Sequence, residues 1–160
     1  MNRYNSFKLL VSLILVGSYF LLPKYGFTFS ILPIENHLLY PFSHANIWHL
    51  AGNILCLWML RCPMHIYATF VCAVLCSFLP CFVAEPTMGF SGVLFAMVGI
   101  SWGKIHRFRD MMRKNIWVLI IPAFLPHINF LIHLYCLMLG YLYGRYATRN
   151  KRADQREPQA

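Results

Sequence analysis

Six long apolar runs, separated by short polar or charged segments, set the pattern of this chain. They cover residues 7–22, 42–60, 64–84, 88–103, 115–126 and 128–147. A helix that crosses a membrane needs about 20 apolar residues, with roughly 17–25 as the usual range. The third and sixth runs reach that length, and the second is close to it. The fifth is the shortest and carries Pro122 and Pro126, so it is also compatible with a re-entrant segment. The pattern predicts six crossings.

Composition supports a membrane protein. Hydrophobic residues make up 59% of the chain and charged residues 12%, against roughly 45–50% and about 25% in soluble domains. A globule of 160 residues cannot bury that much apolar surface within itself. The composition excludes a soluble enzyme, a disordered chain and a secreted disulfide module.

The basic residues predict the orientation. If six helices place both termini in the cytoplasm, 13 of the 14 Lys and Arg residues lie on that side and only Lys24 lies outside, as the positive-inside rule requires. Their clustering between apolar runs therefore argues against nucleic acid as the partner of this +9 chain. We predict an all-α polytopic membrane protein with a six-transmembrane-helix bundle in residues 1–148. Residues 149–160 are predicted to form a polar, basic, disordered tail.

Three polar clusters interrupt the apolar runs, and buried polar groups in a membrane commonly mark function. They are His44-Ala-Asn-Ile-Trp-His49-Leu-Ala-Gly-Asn53, Gly89-Phe-Ser91-Gly92 and Asn129-Phe-Leu-Ile-His133. With both termini inside, the second, fourth and sixth helices all begin at the outer face. At about 1.5 Å per residue, each cluster then lies in the outer part of the membrane. We expect the three to converge on one cavity.

Ser91 is a candidate nucleophile because it lies between glycines at a helix start, where free N–H groups and the helix dipole favour a developing oxyanion. The plainer interpretation is a helix-packing ridge, formed by Gly92, Ala96, Gly99 and Gly103. Both can hold, since the ridge would bring a neighbouring helix close to Ser91. The soluble-hydrolase motif G-x-S-x-G is not met, because Val93 occupies its last position.

His133 is the best candidate for a general base. Gly140 and Gly144 on the same helix permit close approach to the fourth helix. A structural histidine is the plainer alternative, and His127 beside Pro126 is a rival base. No carboxylate lies within an apolar run, and the two predicted on the outer side, Glu35 and Glu85, lie in loops. Serine chemistry would therefore use a Ser–His dyad rather than a triad.

The remaining polar residues have supporting roles or none. His49 and Asn53 share one helical face and can both donate hydrogen bonds inward. His44 is expected to order the entry to that helix. The other histidines are assigned to loops or interfaces: His37, His65 and His106. The six cysteines contain no CxxC pair, so no disulfide framework and no metal or cofactor site is predicted.

Together the three clusters resemble the rhomboid intramembrane serine proteases. The pattern is His-x(4)-His-x(3)-Asn, then Gly-x-Ser-Gly, then His ahead of glycines, in that order. The resemblance implies Ser91 as nucleophile, His133 as general base, and an oxyanion hole formed by the Ser91 N–H, His49 and Asn53. It implies substrates that are single-span membrane proteins, cut in or near the transmembrane segment. Water would enter from the outer face, under the loop between helices five and six.

The chain departs from the family pattern at three places. Phe95 stands where the family often has Tyr against the catalytic histidine, so stacking should survive without the hydroxyl. Cys136 replaces a frequent Gly, which predicts a slightly wider contact with the fourth helix. The loop at 23–41 is short and lacks the Trp-Arg motif of many members. None of these changes removes a reacting group.

Three functional hypotheses follow. The leading one is an active rhomboid protease in the lipid bilayer of a bacterial inner membrane, with its site open to the outer face. The alternative is a catalytically inactive rhomboid-like protein that binds membrane helices. A third, a metal or proton conductor, would use His44, His49, His127 and His133. It lacks acidic relays and leaves Gly-Phe-Ser-Gly unexplained.

Overall fold

A computed structural model of the chain describes residues 3–28, 33–60, 65–80, 86–104 and 129–154. The described part is built from α-helices, which confirms the predicted all-α class. Its helices are α1 (Arg3–Leu21), α2 (Ile34–Leu39), α3 (Ile47–Met59), α4 (Ile66–Ser77), α5 (Ser91–Lys104) and α6 (Phe130–Asp154). A short 3-10 helix, Tyr40–Phe42, follows α2.

Five of the six predicted runs contain a described helix: α1, α3, α4, α5 and α6. The fifth run, at 115–126, lies outside the described residues. Helix α2 falls within the segment predicted as a loop at 23–41, and the 3-10 helix begins there and ends one residue beyond it. Pro33 precedes α2, and Pro41 is the second residue of the 3-10 helix. None of the helices in the described part of the chain is both long enough and apolar enough to cross a membrane. The six crossings and their orientation therefore stay predictions.

Helix α6 is longer than its apolar run. It continues to Asp154, past the boundary predicted at 148, so residues 149–154 of the predicted tail are helical. Alanine, arginine and lysine dominate this stretch and are good helix formers, so propensity can extend the helix after the apolar pattern ends. Residues 155–160 lie outside the described part.

Helices α5 and α6 pack backbone against backbone. A Cβ atom on Gly140 would collide with the carbonyl oxygen of Ala96, and one on Gly99 would collide with the carbonyl oxygen of Leu137. Glycines at this interface with such a contact are Gly99, Gly103, Gly140 and Gly144. The predicted small-residue contact between these two helices is confirmed.

Helix α5 is the centre of the described structure. Most of its residues are buried, including Val93, Ala96 and Met97, which are at most 1% exposed. Helix α4 contacts both α5 and α6. A helix that is apolar and buried around most of its circumference is a core helix, and its first residue is Ser91. The candidate nucleophile is thus carried by the best-anchored helix.

Helix α1 is joined to the end of α3 by buried polar contacts. The Lys8 ammonium donates to the carbonyls of Trp58 (3.0 Å) and Leu60 (2.6 Å), and the Trp58 indole N–H donates to the Ser12 hydroxyl at 3.1 Å. A lysine at a helix C-terminus satisfies carbonyls that have no partner within the helix. These contacts hold α3, which carries His49 and Asn53.

Replacement of Gly140 by Ala tests the backbone contact. The new methyl group has no room against Ala96, so overpacking should cost about 1–3 kcal/mol of unfolding free energy. Gly17→Ala is the matched control, because a Cβ atom there meets nothing within 4 Å and alanine favours a helix over glycine by up to about 1 kcal/mol. Thermal unfolding of both variants measures the difference. A Gly140→Ala protein as stable as the wild type would contradict the packing described.

Candidate active site

Ser91 begins α5 and so lies at the positive end of the core helix. The carbonyl of Phe90 accepts the first helical hydrogen bond, from the Leu94 N–H at 3.2 Å. The N–H groups of Ser91 and of the two residues after it therefore precede the helical ladder. They carry the partial positive charge of the helix N-terminus, which suits a developing negative charge beside the Ser91 hydroxyl.

Gly89 makes the turn that leads into Ser91, and only glycine fits there. Its φ of +121° is a conformation that side-chain-bearing residues rarely adopt. Its N–H donates to the carbonyl of Tyr40 at 2.9 Å. A Cβ atom at this position would lie 2.6 Å and 2.7 Å from Cε1 and Nε2 of His49, and 3.6 Å from Nδ2 of Asn53. The predicted oxyanion donors, His49 and Asn53, are therefore packed against the turn that leads into the candidate nucleophile.

His133 meets the Ser91 hydroxyl across the α5–α6 interface. Its Nε2 lies 2.8 Å from Ser91 Oγ, and its side chain is 4% exposed. The ring of Phe95 is stacked on the imidazole, with centroids 4.3 Å apart and planes 5° apart. The predicted survival of this stack without the tyrosine hydroxyl is confirmed.

No third residue completes a triad in the described part of the chain. The Nδ1 atom of His133 is buried there and has no hydrogen-bond partner. In a serine triad that nitrogen would donate to a carboxylate that orients the ring. Here the ring is held by Phe95 on its face and by Ser91 at Nε2. Within the described part, Ser91 and His133 thus form a pair, and the choice of a dyad over a triad stays a prediction.

Asn53 and His49 lie on the same face of α3, one turn apart. Asn53 is 5% exposed, and its Nδ2 donates one hydrogen bond to the carbonyl of His49 at 3.0 Å. An amide nitrogen has two N–H groups, so a second donor is left for the site. The N–H of His49 itself is capped by the side chain of Asn46 at 2.9 Å, which fixes where α3 begins.

His44 packs against His49 in the structure. It is 1% exposed, and its ring meets that of His49 edge to face, with centroids 5.3 Å apart. Neither ring nitrogen has a hydrogen-bond partner among the described residues. Its contact with the predicted site is therefore through packing on His49.

Gly92 and Cys136 fit together across the α5–α6 interface. A Cβ atom on Gly92 would lie 2.8 Å from the hydroxyl of Tyr40 and 3.4 Å from the sulfur of Cys136. That hydroxyl donates to the carbonyl of Ala73 on α4 at 3.0 Å. The thiol thus fills the space that glycine leaves open, and the backbone contact one turn further on, at Gly140, remains close.

Several residues around the site were not predicted. Tyr40 supports the Gly89 turn, and Thr87 pairs with Asn129. His37, expected in a loop or interface, is buried between the rings of Phe27 and Phe78 and bonds Ser77. Only Asn129 carried a sequence signal, because it opens the third polar cluster.

Some residues discussed in the sequence analysis lie outside the described part of the chain. They are the rival base His127 and the residues Cys62, Cys81 and His106. Cys56, Cys72, Cys76 and Cys136, which lie in the described part, form no disulfide, and no group of three potential metal ligands occurs among the described residues.

In a comparison with known protein families, the model of the rhomboid domain matches residues 35–150, a range that includes all three polar clusters and most of the chain. A search of curated proteins gives no match.

Proposed function

The chain belongs to the rhomboid family, and we propose that it is an intramembrane serine endopeptidase. In this proposal it cleaves peptide bonds in or near the transmembrane segments of single-span membrane proteins. Ser91 is the nucleophile and His133 is the general base. The family match assigns the chain to a family of membrane proteins, whereas activity in this member rests on the arrangement of its side chains.

The observation that carries the proposal is the 2.8 Å contact between Ser91 Oγ and His133 Nε2. A serine hydroxyl is a weak nucleophile until an adjacent base can take its proton. The contact joins a residue at a helix N-terminus to a buried histidine. Close packing of two helices does not by itself require these two groups to meet. It lies within the range of about 2.6–3.2 Å expected for a nucleophile and its base.

The chemical steps need only these two groups and water. Ser91 Oγ attacks the scissile carbonyl carbon while His133 Nε2 takes the hydroxyl proton, which gives a tetrahedral oxyanion. Collapse of that intermediate breaks the C–N bond, and His133 gives its proton to the leaving amine. Water then attacks the acyl-enzyme with His133 again acting as base. Collapse of this second intermediate breaks the C–O bond to Ser91, and His133 returns its proton to Ser91 Oγ as the acid leaves.

The oxyanion would be held by the backbone N–H of Ser91, the ring of His49 and the second N–H of Asn53. The Gly89 turn supports this assignment because it packs against both side chains. Each such donor contributes on the order of 2.7–4 kcal/mol to lowering the barrier. The ring of His44 packs edge to face on that of His49 and helps to hold it in place.

Exposed apolar side chains support a lipid environment for this chemistry. Large apolar residues face outward on several helices, among them Phe20 (70% exposed), Tyr67 (87%) and Leu142 (60%). Soluble proteins rarely expose so many large apolar side chains together. We extend the proposal to a six-span bundle in a bacterial inner membrane, with both termini cytoplasmic and the site open to the outer face.

Cleavage of a single-span substrate reconstituted with the protein in liposomes tests the proposal. Ser91→Ala and His133→Ala should each lower the cleavage rate by on the order of 10³-fold or more, because both groups act in the same step. Ser101→Ala is the matched control, since Ser101 lies on the same helix and its hydroxyl has no hydrogen-bond partner in the described structure. It should cleave as the wild type does.

A folded wild-type protein that binds substrate helices and cuts none would contradict the proposal. That outcome would favour the inactive, helix-binding member of the family. Cleavage that survives in Ser91→Ala would reject the assigned nucleophile.

Asn53→Ala tests the oxyanion assignment separately. Its amide acts on charge that develops only in the transition state, so kcat should fall by about 10²–10³-fold while KM changes little. Steady-state kinetics on the same liposomes separates the two constants. A rise in KM with kcat unchanged would show that Asn53 binds substrate and stabilises no oxyanion.

A further inference from the structure

A hydrogen bond joins the segment before Ser91 to the helix that carries His133. Asn129 Nδ2 donates to the hydroxyl oxygen of Thr87 at 2.7 Å. Thr87 lies four residues before Ser91, and Asn129 lies four residues before His133. The bond therefore connects the two chain segments four residues before Ser91 and four residues before His133.

Each end of this bond is fixed by a further contact. The backbone N–H and carbonyl of Thr87 exchange hydrogen bonds with Phe27, at 2.8 Å and 3.0 Å. Asn129 is 8% exposed and precedes the first residue of α6. Its side-chain oxygen accepts from the Ile132 N–H at 3.4 Å. The amide of Asn129 thus uses its oxygen to cap α6 and its nitrogen to reach Thr87.

The Ser91–His133 contact lies between two attachments of the same pair of chain segments. On one side is the backbone contact between Ala96 and Gly140, and on the other is the bond between Thr87 and Asn129. The glycine contacts between α5 and α6 all lie on the far side of His133 from Asn129, so without the bond the first turn of α6 would be attached to the Ser91 segment on one side only. Two attachments fix the relative position, and a misplacement of about 1 Å can cost on the order of 10²-fold in rate.

We propose that Thr87 and Asn129 are positioning residues, and that their hydrogen bond, the Thr87–Asn129 brace, holds His133 within reach of Ser91. The inference rests on the proposed function for its kinetic consequence. The brace touches neither substrate nor reacting atoms and acts through the placement of α6. Removing it should therefore slow the chemical step without weakening substrate binding.

Four variants test the brace by cleavage kinetics in liposomes. Thr87→Val removes the hydroxyl at nearly constant volume, whereas Thr87→Ser keeps it. Asn129→Ser keeps a residue that caps helices well but is too short to reach Thr87. We expect kcat to fall about 10-fold or more in Thr87→Val and in Asn129→Ser, with KM within about twofold of wild type. Thr87→Ser should keep most of the wild-type kcat. The double variant Thr87→Val with Asn129→Ser should be no slower than either single variant.

Thr69→Val is the matched control for loss of a threonine hydroxyl. Thr69 is 1% exposed, and its hydroxyl bonds carbonyls of its own helical turn, His65 and Ile66. Thermal unfolding measures the stability that each variant loses, and the kcat of Thr69→Val should stay at the wild-type value. Wild-type kcat in Thr87→Val, equal loss in Thr87→Ser, or additive losses in the double variant would each overturn the brace.

A second readout keeps the test independent of proteolysis. The ¹⁵N resonance of His133 Nε2, assigned by its absence in His133→Ala, reports the hydrogen bond to Ser91. It should match the wild type in Thr87→Ser and move toward the value of Ser91→Ala in Thr87→Val. If the wild type cleaves no substrate and the resonances still show this pattern, the proposed function is rejected and the brace is supported. An unmoved resonance in Thr87→Val would reject the brace whether or not the wild type cleaves.

Discussion

The backbone contact between α5 and α6 is the constraint on which the rest of the site depends. The Ser91–His133 distance is short only because the two helices approach closely, and they do so because Gly99 and Gly140 place no side chain between them. In lipid no hydrophobic effect drives helices together, so small residues and close packing must supply the association. The same glycines that stabilise the fold therefore also determine the distance between Ser91 and His133.

A second constraint is the absence of an orienting carboxylate among the described residues. A triad fixes its histidine by an ionic hydrogen bond at Nδ1, and here that atom is buried and unpartnered. The ring of His133 is held by stacking on Phe95 and by its bond to Ser91. A buried carboxylate would cost much free energy in a membrane interior. Stacking on Phe95 orients the ring at a lower free-energy cost. The histidine's placement then depends on its whole helix.

The sequence marked the candidate reacting groups more clearly than it marked the residues that support them. Ser91, His133, His49 and Asn53 stand out because polar residues are rare in apolar runs, and Phe95 was expected at the imidazole face. The supports Tyr40 and Thr87 gave no such signal, because their partners are backbone groups or residues far along the chain. Helix α6 also extends past its apolar run, since helix propensity continues where hydropathy stops. Long-range pairing and helix ends are set by the folded chain, and a single sequence does not display them.

Covalent labelling with a fluorophosphonate probe tests the central claim, an activated Ser91 paired with His133, most directly. The probe is added to solubilised protein and the modified residue is located by mass spectrometry in wild type, Ser91→Ala and His133→Ala. The account predicts an adduct on Ser91 in the wild type and none in either variant. An adduct that persists in Ser91→Ala, or no adduct on a folded wild-type protein, would contradict it.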